Sequence, residues 1–110
     1  MILEIYERLA LLDLLPKEEK YAGMKEIRRA REIFSLTPEE IKSLSYEEIP
    51  EGNRLRVKLD VAKAVAMAKD LPVSEWVTQK IRTLLSELEN KGKLNDQTYS
   101  LYEKFVVTYR

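Results

Sequence analysis

"MILEIYERLALLDLLP", residues 1–16, carries apolar side chains over most of its circumference when it is wound as a helix. From Ile2 to Leu15 only a narrow polar stripe through Glu4, Glu7 and Arg8 interrupts the apolar surface. A helix of that kind is wrapped by other helices, so this one is expected at the centre of a helical bundle. Pro16 ends it or begins the next helix, because its ring clashes with a preceding helical turn.

The same stretch is not read as a signal peptide, since Glu4, Glu7, Arg8 and Asp13 break it and no basic region precedes it. It is also too short to span a bilayer. A cytoplasmic protein without membrane contact is expected. The scarcity of Asn and Gln, the absence of Cys and the abundance of Lys, Arg and Glu suit a thermophilic source.

Further along, Tyr21, Met24, Ile27, Ala30 and Phe34 recur at three- and four-residue steps, which predicts an amphipathic helix over Lys17 to Phe34. Gly23 within it marks either a close helix crossing or a frayed start. "LTPEEI" then supplies Thr37 as N-cap, Pro38 at the first helical position and Glu40 as capping-box partner, flanked by Leu36 and Ile41 as a hydrophobic staple. A short helix from Pro38 to about Leu44 follows.

The period changes at "YEEIPEGNRLRVKLD", where Leu55, Val57 and Leu59 alternate with Arg54, Arg56 and Lys58. Such alternation predicts a strand with one buried face. Glu51, Gly52 and Asn53 provide the turn to a partner strand over Tyr46 to Ile49. Asp60 caps the alanine-rich helix "VAKAVAMAK", which ends before Pro72. Ser74 or Asp70 starts a longer helix with Val77, Ile81, Leu84, Leu85 and Leu88 in one stripe, stopped by Gly92.

The last helix is capped by Asn95, with Leu94 placed to staple against Tyr99. Tyr99, Tyr102, Phe105, Val106 and Tyr109 fall on one face, and Lys104 lies off it. Rings at helical spacing are expected in a core or an interface, not as a platform for stacking bases. No repeat, low-complexity segment or long linker divides the 110 residues, so a single domain over residues 1–110 is expected.

Composition removes several chemistries. The chain has no cysteine and no histidine, which excludes disulfides, thiolate nucleophiles, histidine acid-base catalysis and His/Cys zinc sites. Nineteen basic residues balance nineteen acidic ones, so no net field draws the molecule to polyanions. Glu39 with Glu40, and Glu47 with Glu48, match no EF-hand spacing. The three glycines are too dispersed for a phosphate-binding loop. No cofactor and no metal are expected.

Two sets of residues remain as candidates. Trp76, Tyr99, Tyr102 and Tyr109 are apolar anchors for a protein partner, set against an ordinary core or rim role. Arg28, Arg29 and Arg31, with Arg54, Arg56 and Lys58, are the basic set of a winged helix-turn-helix reading. Against phosphate contact stands local pairing on the first helix, such as Arg28 with Glu32. The helix before the hairpin also has the wrong sign, with Glu39, Glu40, Glu47, Glu48 and Glu51 facing only Lys42.

"ERLALLDLLPKE" and "LLSELENKGKLNDQTYSLYEKF" together resemble small helical proteins of uncharacterised function encoded by bacteriophages and prophages. The similarity covers roughly residues 7 to 43 and 84 to 106, and its motifs are structural. The resemblance implies a phage-type accessory protein and carries no site residues. Taken together, the expectation is a mainly α, single-domain helical bundle of six helices with a small β-hairpin. It acts as a non-enzymatic protein-interaction module on an unidentified host or phage protein or on a second copy. Nucleic-acid binding through the six basic residues is the alternative.

Overall fold

The Ile5–Leu14 helix (α1) runs through the middle of the fold, as its apolar circumference requires. In the computed structural model, which describes residues 1–108, it packs against α2 (Tyr21–Phe34), α4 (Val61–Ala66) and α6 (Asp96–Tyr102). The remaining helices are α3 (Pro38–Ser43) and α5 (Glu75–Asn90), and α6 continues into a π-helical turn over Glu103–Val107. The protein is mainly α, with two small antiparallel strand pairs.

Local chemistry sets the helix limits. Thr37 accepts from the Glu40 amide at 3.2 Å while the Glu40 carboxylate accepts from the Thr37 amide at 2.9 Å, a complete capping box. Asp60, Ser74 and Asn95 cap α4, α5 and α6 through their side chains. Gly92 has φ +65°, and the Gly92 and Lys93 amides bond back to Glu89 and Leu88 at the end of α5. That pairing is a Schellman cap, which needs the left-handed backbone glycine adopts freely.

Helix α1 begins later than its apolar pattern predicts. Ile2–Leu3 form a strand (β1) paired with Lys69–Asp70 (β4), a connection between residues that no local signal links. The Met1 amine adds a 2.8 Å contact to Asp70 and a 3.0 Å bond to the Leu71 carbonyl. Likewise α2 starts at Tyr21 and not at Lys17, the intervening residues forming its approach from Pro16.

Two apolar clusters share α1. The larger gathers Leu3, Leu11, Leu15, Ile27, Phe34, Ile81, Leu85, Leu101 and Phe105, and the smaller gathers Ile5, Leu44 and Ala64. On the last helix the buried residues are Leu101 and Phe105, while Tyr99 is 62% exposed. The expected ring face is thus rotated: Leu101 takes the inward position, Tyr102 stands at its edge, and Tyr109 lies outside the described residues.

The polar stripe on α1 is not solvated. Arg8 and Glu7 are 1% and 3% exposed. The Arg8 guanidinium donates from Nε to the Phe34 carbonyl at 3.1 Å and from Nη2 to the Ser35 carbonyl at 2.6 Å. It also meets both carboxylate oxygens of Glu40, Nη1 to Oε2 at 2.5 Å and Nη2 to Oε1 at 3.0 Å. One side chain therefore caps the carbonyl end of α2 and holds the start of α3. Lys104, off the ring face, turns to α1 and donates to Glu7 at 2.6 Å and to the Ile2 carbonyl at 2.9 Å.

Replacing Arg8 by Met would strand a buried carboxylate and two helix-end carbonyls. We expect urea denaturation to show a loss of about 3–5 kcal/mol, and a loss below about 1 kcal/mol would contradict this role. The Arg8 hydrogen bonds hold the Glu40 carboxyl at about 2, below the ordinary 4.5. Because the folded-state value is the lower one, its stabilisation is fully present above pH 4.5 and is lost as pH falls toward 2. Denaturation followed across that range is expected to show a fall in stability that is flattened in Glu40→Gln.

Candidate protein-interaction surface

The hairpin formed by β2 (Glu47–Glu51) and β3 (Arg54–Lys58) grows from the end of α3. Its base is tied by the Asp60 amide to the Leu44 carbonyl at 2.8 Å and by the Tyr46 amide to the Ile41 carbonyl at 3.1 Å. Ser45 makes the turn between helix and strand with φ +51°. The loop residue Gly52 has φ +64°, the left-handed first position that a two-residue hairpin loop assigns to glycine.

Pairing places Glu47, Ile49 and Glu51 opposite Lys58, Arg56 and Arg54 on one face. The other face carries Glu48 and Pro50 opposite Val57 and Leu55. Sequence alternation predicts that the leucine and valine face is buried, and the structure overturns this. Leu55 is 64% exposed and Val57 41% exposed. The physical reason is tethering: the hairpin is held at its base, and its apolar face looks toward α1 across a cleft.

That cleft holds about 400 Å³ and is lined by Tyr6, Leu9, Ala10 and Asp13 of α1, Leu55 and Val57 of β3, and Gln97 of α6. Tyr6 is 42% exposed within it. Sequence reasoning missed these α1 residues because a helix apolar all round gives no sign of which side stays uncovered. The signal available was the hairpin itself, whose aliphatic face has no matching strand elsewhere in the chain.

Trp76 sits at a second groove, of about 430 Å³, with Glu19, Glu75, Gln79, Lys80 and Thr83. Its indole is 38% exposed and lies over Gly23, where an added Cβ would run into the Glu19 side chain and approach the ring to 2.9 Å. Gly23 thus marks a close crossing of α2 and α5. Lys80 and Glu19 bridge the groove at 2.8 Å, and the hydrogen bond from Lys80 holds the half-buried Glu19 carboxyl below its ordinary value.

The basic residues do not all gather. Arg28 and Arg29 are exposed but diverge by about 100° around α2, as neighbours on a helix must. Arg31 is spent on the Pro16 carbonyl, at 2.9 Å. Among the described residues no ion pair joins Arg28 to Glu32. Arg54, Arg56 and Lys58 do share a face, and among the described residues none of them is in an ion pair. Among the described residues there is also no group of three or more acidic side chains placed to hold a metal, and no helix long and apolar enough to cross a membrane.

Comparison of the chain with protein-family models, with curated proteins and with solved structures finds no match. Its own geometry therefore carries the functional reading. For the Trp76 groove we expect Gly23→Ala to displace the indole and to destabilise despite a gain of about 1 kcal/mol in helix propensity. Tryptophan emission would shift to the red; unchanged emission with higher stability would show that the ring does not depend on this gap.

Proposed function

We propose that the chain is a non-enzymatic protein-interaction module, a small phage-type accessory protein that works by holding a protein partner against the β2–β3 hairpin. The observation that carries this reading is the hairpin's exposure on both faces above a cleft in which Leu55, Val57, Tyr6 and Leu9 meet the polar Asp13 and Gln97. An isolated two-stranded hairpin is marginal in water, and packing onto another surface is what ordinarily stabilises one. Leu55, Val57, Tyr6 and Leu9 supply apolar contact, and Arg54, Arg56 and Lys58 supply a charged rim, the arrangement of a specific interface. The phage-type part rests on the likeness of the two terminal stretches to phage-encoded proteins.

Tyr102 is tied into the main core, which leaves Tyr99 and Trp76 as secondary contacts away from the cleft. Nucleic-acid binding draws support from Arg54, Arg56 and Lys58 of β3, which are in no ion pair among the described residues. It is set back by the carboxylates of Glu47 and Glu51 directly across the strand pair, which lower the positive potential of that face.

The test is affinity capture from host lysate after nuclease treatment, with the parent chain and Leu55→Asp side by side. We expect a retained protein that is lost with Leu55→Asp while the melting temperature of the variant stays within a few degrees, since Leu55 is largely exposed. Capture that vanishes with nuclease, or that ignores Leu55→Asp, would refute the assignment.

A further inference from the structure

We infer that the partner binds by strand addition: an extended peptide segment, alternating acidic and apolar, lies antiparallel or parallel along the free edge of β3 and completes a three-stranded sheet over the α1 cleft. This rests on the reading of the chain as a protein-interaction module and names the chemistry of its partner.

The edge follows from proline. Pro50 has no N–H, so the Pro50↔Leu55 pair cannot exchange both backbone bonds and is a non-hydrogen-bonded pair of the ladder. Alternation then gives Glu48↔Val57 the same character. In such pairs the N–H and C=O groups turn away from the partner strand. Leu55 and Val57 therefore present their backbone groups along the outer edge of β3, where the sheet ends after two strands. On β2 the equivalent edge has lost a donor at Pro50, as edge strands protected against pairing commonly do.

Side-chain chemistry selects the occupant. A strand beside β3 would set alternate residues next to Arg54, Arg56 and Lys58; Glu51 and Glu47 already stand across from Arg54 and Lys58, whereas Arg56 faces Ile49, so a carboxylate is favoured most strongly beside Arg56. Its intervening residues would lie beside Leu55 and Val57 and fill the cleft above Tyr6 and Leu9, which favours apolar ones. A second copy does not fit as well. Symmetric antiparallel pairing of β3 with itself about Arg56 would set Arg54 against Lys58, and β2 of another copy would offer an edge interrupted by Pro50.

The experiment is selection of a displayed library of random peptides about seven residues long, an ordinary strand length, on the intact chain. Enriched peptides would then be titrated into the labelled protein while amide resonances are followed. We expect alternating acidic and apolar sequences whose binding shifts the Leu55 and Val57 amides. Affinity should fall about tenfold in Val57→Pro, which removes one outward N–H without touching the ladder to β2, and similarly in Arg56→Glu, which leaves the backbone intact. Thermal melting checks that both variants are folded.

Peptides that bind Val57→Pro as well as the parent would overturn strand addition and leave the interaction-module reading standing. Enrichment of helix-forming or basic sequences, or no enrichment, would overturn it as well. A single-stranded oligonucleotide that shifts the Arg54 to Lys58 amides where no peptide does would overturn both readings. Concentration-dependent dimerisation abolished by Val57→Pro would replace the peptide with a second copy.

Discussion

Among the described residues Arg8 is the one buried cation, and much of the architecture is arranged around satisfying it. A guanidinium without water needs several acceptors, and it finds them in two carbonyls at the end of α2 and the two carboxylate oxygens of Glu40. Those acceptors come from the end of α2 and the first turn of α3, so satisfying Arg8 fixes the angle at which α2 ends and α3 begins. Glu40 is constrained from the other side too, because the same carboxylate closes the capping box with Thr37. The pair is a register device as much as a source of stability.

Its influence extends to the hairpin. The α3 helix has only one turn and a half, and Leu44 at its end is buried in the smaller core beside Ile5 and Ala64. From there Ser45 and the bond between Asp60 and Leu44 launch the two strands. A blade attached in this way is positioned at its root and free along its length. That combination leaves apolar residues and a strand edge in solvent at a definite place above α1, which is what a docking surface requires.

The two ends of the chain are drawn together by comparable means. Lys104 reaches Glu7 and the Ile2 carbonyl, while β1 pairs with β4 and joins the first residues to the segment before α5. The second oxygen of Glu7, buried with no partner among the described residues, shows that this corner is not fully compensated. Among the described residues the apolar surface of α1 and of the last helix is largely taken up within the chain, with Tyr6 and Tyr99 the large rings left standing out on these two helices.

Short-range chemistry was legible in the residues themselves: the capping box at Thr37, the Asp60 and Asn95 caps, the glycine stop at residue 92, the hairpin turn at Gly52 and the central place of α1 all depend on neighbours a few positions away or on a helical period. The same residues, with histidine and cysteine absent, bounded the chemistry. What only the tertiary structure decided was the environment of side chains whose partners are distant in sequence. Arg8 reads as the polar edge of a helix until Phe34 and Glu40, 26 and 32 residues away, enclose it. Leu55 and Val57 read as a buried face until the hairpin is seen to stand clear of α1. Periodicity reports which side chains share a face, whereas burial depends on what the rest of the chain brings against that face.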